Sequence, residues 1–395
     1  MRRALPQTEN QPIWGVYVHY PLCVRRCGYC DFETVQLGDF PHQDYRQQVE
    51  REAQARIESY RGGGALRTIY LGGGSPSLWP AEQVGALLED LARLAGAALG
   101  ALEVTIEVNP GDLDRAALRR LREAGVDRLS IGVQSLDDEA LRTLTRTHDA
   151  TRARLAYEDA RAVGFDNISC DLICGLPDQR LEHHRAQLEA MIALGPEHIS
   201  VYGLTLAERA PMRRRGLAPL ADDDLAAQLE TTAELLADAG YEHYEVSNYA
   251  RPGRESRHNL LVWQSWSYLG LGASAHSMAL RGPCALRLAN PPYLSYRGAA
   301  LRDDVDPPRV DGARLERSEG RLAQLEVLML ALRTSRGLSR ERYVARFDAD
   351  PLSDHHEALS KLEAWGLLRV SEEAIAPTAR GLWFADEIAT RLARA

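Results

Sequence analysis

The chain has 395 residues, a formal net charge of −9 at pH 7 and 26% charged residues. Its length is sufficient for two or three domains, and its acidic balance argues against a nucleic-acid-binding protein. Lysine occurs once, as Lys361, which excludes a Walker-type ATPase and disfavours Schiff-base chemistry.

The segment Met1–Thr8 lacks the apolar core of a signal peptide. No run approaches the roughly 18 apolar residues of a membrane span. We therefore expect a cytoplasmic protein, and the sequence leaves a homodimer and peripheral membrane contact open.

Cys23, Cys27 and Cys30 lie on a loop that follows the first predicted strand. The segment Ile13–Tyr20 is rich in β-branched and aromatic residues, which predicts a strand, and Pro21 ends it. Clustered thiolates are soft ligands that bind iron–sulfur clusters, zinc or copper(I). Three Cys ligands would leave one iron of a [4Fe–4S] cluster open to another molecule. A structural zinc site would instead need a fourth ligand. That ligand would be a histidine or one of the remaining cysteines, which we otherwise expect to be buried or incidental thiols: Cys170, Cys174 and Cys284.

Strand patterns and helix patterns alternate along the first half of the chain. The six predicted strands cover residues 13–20, 66–71, 104–110, 128–133, 168–173 and 198–202. Six successive β–α units predict an α/β fold with a parallel sheet and right-handed crossovers. Each strand runs into a polar, glycine-rich or cysteine-bearing loop. Because chemistry in α/β barrels takes place at the carboxyl ends of the strands, we expect these loops to share one site.

The spacing C-x3-C-x2-C after a strand, with aromatic Tyr29 before the last Cys, resembles the signature of the radical S-adenosylmethionine (SAM) enzymes. The resemblance implies a partial, TIM-like (β/α)6 barrel. It also implies a [4Fe–4S] cluster bound by Cys23, Cys27 and Cys30, whose open iron binds the methionine part of SAM.

Further motifs resemble, in the same order, those of the oxygen-independent coproporphyrinogen III oxidases and their relatives. They cover residues 17–23, 72–76, 107–110, 132–135 and 171–177. The resemblance implies a SAM-binding shell formed by Tyr17, Tyr29, Gly73, Gly74, Ser75, Glu107, Gln134, Arg146, Asp171 and Thr205. Chemically, Glu107 and Asp171 suit ribose hydroxyl groups and Arg146 suits a carboxylate. The same three charges could instead form buried ion pairs at the barrel mouth.

Phe32 occupies the position where the oxidases have the fourth Cys of C-x3-C-x2-C-x-C, and only about a dozen residues precede the first strand. Both departures favour the haem chaperone branch of this family. We therefore expect a protein that carries haem as cargo and delivers it to haemoproteins. The alternatives are a coproporphyrinogen III oxidative decarboxylase, a radical SAM methyltransferase or cyclopropanase, and a zinc-bound structural barrel. Whether the chain is an enzyme stays open.

The segment from His258 to Trp263 is similar to the His-Asn-x-x-Tyr-Trp motif of the chaperones, with Val262 in place of Tyr. The resemblance implies haem binding by His258, Asn259 and Trp263. Histidine is a common haem ligand, and Trp263 and Trp266 could stack on a porphyrin. On its own, however, a histidine in a loop is more often a surface residue than a ligand.

Other residues near this motif offer further contacts to haem. Three arginines of the preceding loop could pair with the propionates: Arg251, Arg254 and Arg257. His276, in a glycine-rich turn, is a rival ligand or a plain turn residue.

A Pro-rich, charged stretch at residues 303–308 predicts a domain boundary. Helical patterns at 322–332, 340–346 and 355–365, a hairpin at 366–376 and a last helix resemble an α+β, winged-helix-like module. The acidic balance and the family resemblance favour packing of this module over the barrel mouth rather than DNA binding. The predicted organisation is a barrel at 1–245, a haem-motif and connecting segment at 246–310, and the module at 311–395.

Overall fold

The structure is a computed structural model that describes residues 12–208 and 210–394. The prediction made for Met1–Thr8 lies outside the described residues. Six parallel strands follow one another in chain order and confirm the predicted α/β class. They are β1 (Ile13–Tyr20), β2 (Ala65–Gly73), β3 (Glu103–Val108), β4 (Arg128–Gln134), β5 (Ile168–Cys174) and β6 (His198–Gly203).

Helices connect these strands and cover the outside of the sheet. They are α1 (His42–Arg56), α2 (Glu58–Arg61), α3 (Ala81–Ala95), α4 (Arg115–Glu123), α5 (Asp138–Thr143), α6 (Ala150–Ala162), α7 (Leu181–Leu194), α8 (Pro211–Arg214) and α9 (Asp222–Asp238). In α3, Leu87, Leu88 and Leu91 recur at helical spacing and are fully buried, as expected for a helix with one core-facing side. Asp114 caps α4 by accepting a hydrogen bond from the Ala117 N–H at 2.8 Å.

Within the described residues the sheet has 12 strands, because further strands extend it on both sides. Next to β6 lie β8 (Asn248–Ala250) and then β7 (Glu242–Glu245). On the other side β9 (Ser267–Leu271) pairs in parallel with β1 and is followed by three antiparallel strands: β10 (His276–Arg281), β11 (Cys284–Ala289) and β14 (Arg314–Ser318). The sequence did not predict these strands. The stretch at 246–310 therefore adds strands to the barrel sheet, while its predicted boundaries stay predictions.

Between β11 and β14 lie three small elements, α11 (Tyr293–Tyr296), β12 (Leu301–Arg302) and β13 (Arg309–Val310). A buried polar cluster ties this region to α1. The carboxylate of Glu52 pairs with Arg56 and accepts hydrogen bonds from Tyr296 Oη at 2.8 Å and from Asn290 Nδ2 at 2.7 Å. It also accepts the Gly272 N–H at 3.0 Å. Because each bond joins a different chain segment, Glu52 organises this side of the core.

Helix α10 (Arg257–Trp263) lies against the amino ends of the first barrel strands. The backbone N–H of His258 donates to Glu103 Oε1 at 3.2 Å, and Glu103 is the first residue of β3. The His258 ring contacts Thr68, near the start of β2. The loop with the three cysteines follows the carboxyl end of β1. The segment from His258 to Trp263, which resembles a haem-binding motif, therefore lies at the opposite end of the barrel from the cysteine loop.

The C-terminal region has its own apolar core around Leu332, Leu362 and Ile375. Its three-stranded sheet and its helices follow the predicted winged-helix-like order. The elements are α12 (Gly320–Ala331), β15 (Leu338–Ser339), α13 (Arg340–Phe347), α14 (Pro351–Asp354), α15 (His356–Ala364), β16 (Leu368–Val370), β17 (Ala374–Pro377), α16 (Ala379–Trp383) and α17 (Ala385–Arg394). No described helix combines the length and the apolar composition that crossing a bilayer would require.

This module contacts the α10 end of the barrel, contrary to the expectation that it covers the barrel mouth. The Val246 N–H donates to the Arg333 carbonyl at 3.0 Å, and the Arg342 guanidinium lies 4.0 Å from the centre of the Trp266 ring. The cavity at the other end is lined by no described residue beyond Ala207. Cation–π pairs of Arg333 with Trp263 and of Arg342 with Trp266 contribute to this contact, and sequence spacing does not reveal them.

Candidate cluster and cofactor site

A cavity of about 500 Å³ opens at the carboxyl ends of the barrel strands. It is lined by the three cysteines and by all but one of the residues predicted for the SAM shell. The lining includes Cys23, Cys27, Cys30, Tyr29, Gly73, Gly74, Ser75, Glu107, Gln134, Arg146, Asp171 and Thr205. The exception is Tyr17, whose hydroxyl lies 3.2 Å from His19 Nδ1 and which does not line the cavity. The structure thus brings together side chains from every strand-end loop of the barrel.

The cysteine loop is held by backbone contacts at Gly28. Its N–H donates to Thr145 Oγ1 at 2.7 Å and to the Leu144 carbonyl at 3.3 Å. Its carbonyl accepts the Met212 N–H at 2.9 Å, which ties the loop to α8. These bonds fix the loop between the segments that follow β4 and β6.

The three thiols are free of disulfides. Burial raises the pKa of Cys23 to about 11 and also raises the pKa of Cys30, so a thiolate here needs a compensating cation. No three His, Cys, Asp or Glu side chains of the described residues are arranged around one point as a metal site. The donor set nevertheless fits an iron–sulfur cluster, because three soft thiols share one cavity. Among the described residues, the cavity lining holds no His and no fourth Cys, which disfavours a closed zinc site.

Two polar side chains contact the thiols directly. Arg146 Nη1 donates to Cys27 Sγ at 3.2 Å and lies 3.5 Å from Tyr29 Oη. Ser75 Oγ donates to Cys23 Sγ at 3.6 Å. Arg146 therefore contacts the cysteine loop, and among the described residues it forms no ion pair with Glu107 or Asp171.

Asn109 connects these two side chains and was missed by the sequence analysis. Its Oδ1 accepts a hydrogen bond from Arg146 Nη2, and its Nδ2 donates to Ser75 Oγ at 2.7 Å and to Asp112 Oδ2 at 3.2 Å. Ser77 Oγ holds the same Asp112 oxygen at 2.7 Å. The signal that could have identified Asn109 is its position directly after β3, because site residues of the barrel lie at or near the carboxyl ends of its strands.

Two half-buried side chains with carboxyl groups, Glu107 and Asp171, line the cavity. Glu107 accepts hydrogen bonds from Tyr70 Oη at 3.0 Å and from the Gly73 N–H at 3.1 Å. Burial outweighs these bonds and raises the pKa of Glu107 to about 7. Asp171 lies 3.3 Å from Ser130 Oγ, and burial raises its pKa as well. Near neutral pH the Glu107 carboxyl group can therefore either accept a hydrogen bond from a ligand hydroxyl group or donate one to it.

The backbone is constrained at two positions of the lining. Gly73 has a φ of 115°, and a Cβ there would lie 2.7 Å from the His19 ring. Gln134 has a φ of 65°, in the left-handed region that non-glycine residues rarely adopt. Residues held in such conformations cluster at binding sites, and the SAM-binding role of Gly73 and Gln134 stays a prediction.

The structure places His258 away from this cavity. Its side chain is only 6% exposed, and its Nδ1 lies 2.8 Å from Thr68 Oγ1. Its ring centre lies 5.2 Å from that of Tyr70 and 6.5 Å from that of Tyr17. Burial and the charge of Arg128 lower the pKa of His258 to about 3, so the imidazole is neutral. Neutral imidazole can ligate iron, but this ring is enclosed by the barrel strands.

The other residues predicted for haem differ in accessibility. His276, the first residue of β10, is exposed, whereas Asn259 and Trp263 are half-buried. The Trp263 ring faces the Arg333 guanidinium at 5.7 Å. The three loop arginines lie in different surroundings. The Arg251 guanidinium lies over the Tyr241 ring, and Arg254 pairs with the Asp166 carboxylate. Arg257 is the first residue of α10. Phe32, which replaces the oxidases' fourth Cys, is 55% exposed at the cavity rim.

Comparisons with known proteins place the chain among characterised families. Residues 17–191 match the family model described as "Radical SAM superfamily", and residues 323–384 match the "HemN C-terminal domain". A Bacillus subtilis protein named "Heme chaperone HemW" is 30% identical over 382 residues, which cover 95% of this chain and 97% of the relative. An Escherichia coli protein of the same name is 39% identical over 267 residues, covering 67% of this chain and 70% of the relative.

A solved structure supports the fold. The coproporphyrinogen III oxidase HemN from Escherichia coli, described as a radical SAM enzyme, superposes with a TM-score of 0.76. The two chains are 24% identical, and the match covers 97% of this chain and 90% of the oxidase. This likeness confirms the TIM-like radical SAM barrel that the resemblance implied.

Proposed function

This chain belongs to the HemW family of radical SAM proteins, and on that premise we propose that it is a haem chaperone. In this proposal it binds a [4Fe–4S] cluster, SAM and haem, and delivers the haem to recipient haemoproteins. The observation that carries the proposal is the cavity in which three free thiols and the predicted polar shell meet. It occurs in a chain that is related along nearly its whole length to a protein named as a haem chaperone.

Cys23, Cys27 and Cys30 would hold the cluster at the cavity wall. When bound, such a cluster supplies a redox-active iron with an open coordination position. Glu107 and Asp171 would contact hydroxyl groups of SAM, because both half-buried side chains line the cavity. The glycine run at Gly73 and Gly74 lets the backbone approach a ligand closely. The remaining lining side chains would orient the ligand and exclude water.

Haem has two candidate axial ligands. His258 matches the family motif but would require a displacement of α10 to meet an iron, because the ring is enclosed. His276 is accessible without such a movement. Asn259 and Trp263 would flank haem in the first case. A cytoplasmic location, a homodimer and peripheral membrane contact stay predictions.

The proposal is tested by haem transfer from the cluster-reconstituted protein to excess apomyoglobin, with haem-loaded albumin as the control for passive release. We expect transfer that is faster than from albumin. In the same preparation, 5′-deoxyadenosine and CO2 are quantified with coproporphyrinogen III as substrate, and we expect no coupled release of CO2. Decarboxylation without any haem transfer would overturn the chaperone proposal in favour of the oxidase alternative.

A further inference from the structure

A continuous line of hydrogen bonds joins two of the three cysteines, with Asn109 at its centre. It runs from Cys23 Sγ through Ser75 Oγ to the Asn109 amide, and from there through the Arg146 guanidinium to Cys27 Sγ. Both side chains that touch a thiol are thus held by the same amide group.

We propose that Asn109 is a positioning residue that sets the reduction potential of the bound cluster through these two contacts. This inference rests on the proposed function, since it requires a cluster on Cys23 and Cys27. Asn109 would not touch the cluster. It acts by orienting the Ser75 hydroxyl and the Arg146 guanidinium toward the sulfurs.

The direction of the effect follows from charge. Reduction makes the cluster and its thiolate ligands more negative, and hydrogen-bond donors to sulfur stabilise that added charge. Donors held in place therefore raise the reduction potential. Outer hydrogen-bonding partners of metal ligands commonly act in this way.

The chemistry of the amide suits this position better than that of other side chains. Asparagine accepts from Arg146 with its oxygen while it donates to Ser75 and Asp112 with its nitrogen. An aspartate could accept from Arg146 but could donate to neither partner. It would also lie beside the Asp112 carboxylate and repel it. An alanine would leave both Ser75 and Arg146 without this support.

The test is an EPR-monitored redox titration of the cluster, without SAM, in the wild type and in Asn109→Ala and Asn109→Asp. We expect the midpoint potential to become more negative in both variants. Thr34→Ala is the matched control, because Thr34 lines the same cavity while its hydroxyl has no hydrogen-bond partner among the described residues. Its potential should equal that of the wild type.

Unchanged potentials in both Asn109 variants would overturn the inference. So would loss of the cluster in both, since a residue that only positions donors leaves assembly intact. Asn109→Asp guards against a folding defect because it is nearly isosteric with the wild type. Failure of the wild type to hold about four irons would contradict the proposed function itself, which separates the two claims.

Discussion

The ring of His258 packs 5.2 Å from the ring of Tyr70, centre to centre. The hydroxyl of Tyr70 in turn donates to Glu107 in the cavity lining at 3.0 Å. The segment from His258 to Trp263 and the cavity predicted to bind SAM lie at opposite ends of the barrel, yet the side chain of Tyr70 contacts residues of both. A change in the position of α10 would therefore reach the cavity through Tyr70.

Tyr70→Phe removes the hydroxyl that supports the Glu107 carboxylate, and we expect weaker SAM binding. A hydrogen bond to a charged group contributes about 1.5 kcal/mol or more, which corresponds to roughly a tenfold loss of affinity. Isothermal titration calorimetry at pH 8 measures the affinity for SAM. Tyr17→Phe is the matched control, because the Tyr17 hydroxyl contacts His19 instead of the cavity. If Tyr17→Phe weakened binding and Tyr70→Phe did not, the assignment of these two tyrosines would be wrong.

Glu107→Gln should change how stability depends on pH. Burial raises the pKa of Glu107 from 4.5 to about 7 in the folded protein. The contribution of Glu107 to the free energy of unfolding is therefore largest below pH 4.5. It falls as the pH rises from 4.5 through 7, because the carboxyl group ionises more readily in the unfolded chain. Relative to the wild type, the variant should gain up to about 3 kcal/mol in free energy of unfolding between pH 4.5 and 8.5.

Urea unfolding of the cluster-free protein at several pH values measures this difference. Glu139→Gln, an exposed position in α5, controls for the loss of a negative charge. If the free energies of unfolding of Glu107→Gln and the wild type differed by the same amount at every pH in this range, burial would not have perturbed the pKa of the Glu107 carboxyl group.

Glu52→Ala should strongly destabilise the fold without touching the cavity. It leaves the fully buried Arg56 guanidinium without its carboxylate and removes acceptors from Tyr296 and Asn290. Breaking a buried pair in this way costs about 3–5 kcal/mol. Thermal and denaturant unfolding provide the measurement. Glu58→Ala, which removes a largely exposed partner of Arg61, should cost at most about 1 kcal/mol. Equal costs for the two variants would contradict the organising role of Glu52.

Cys27→Ala should abolish cluster binding, because only two of the three proposed ligands remain. Iron and sulfide analysis after anaerobic reconstitution should fall from about four irons per chain to near zero. Cys284→Ala removes a thiol that does not line the cavity and should retain full iron content. Retention of four irons in Cys27→Ala would mean that the cluster lies elsewhere.

The six barrel strands could be predicted because each combines apolar, β-branched residues with a polar end. The strand β9 could not, since Ser267–Leu271 is short and contains a glycine. Its partner β1 lies more than two hundred residues earlier in the chain, and pairing at that distance has no local signal. The strands β10 and β11, which extend the sheet beyond β9, were missed with it.

The sequence motifs at the strand ends predicted which residues line the cavity, but they did not predict the contacts between those residues. The Asn109–Pro110 pair indicates a turn in sequence, so its role between Ser75 and Arg146 becomes visible only in three dimensions. His258 poses the opposite problem. Its motif suggests an accessible ligand, whereas the packing of α10 against β2 and β3 buries it. Burial of a short helix by distant strands is a tertiary effect that its own sequence does not contain.

The most direct test of the chaperone account is an anaerobic haem titration of the cluster-reconstituted protein, followed by Soret absorbance. A haem chaperone should bind one haem per chain saturably, and binding should weaken in either His258→Ala or His276→Ala, which identifies the ligand. The absence of saturable binding in the wild type would contradict the account.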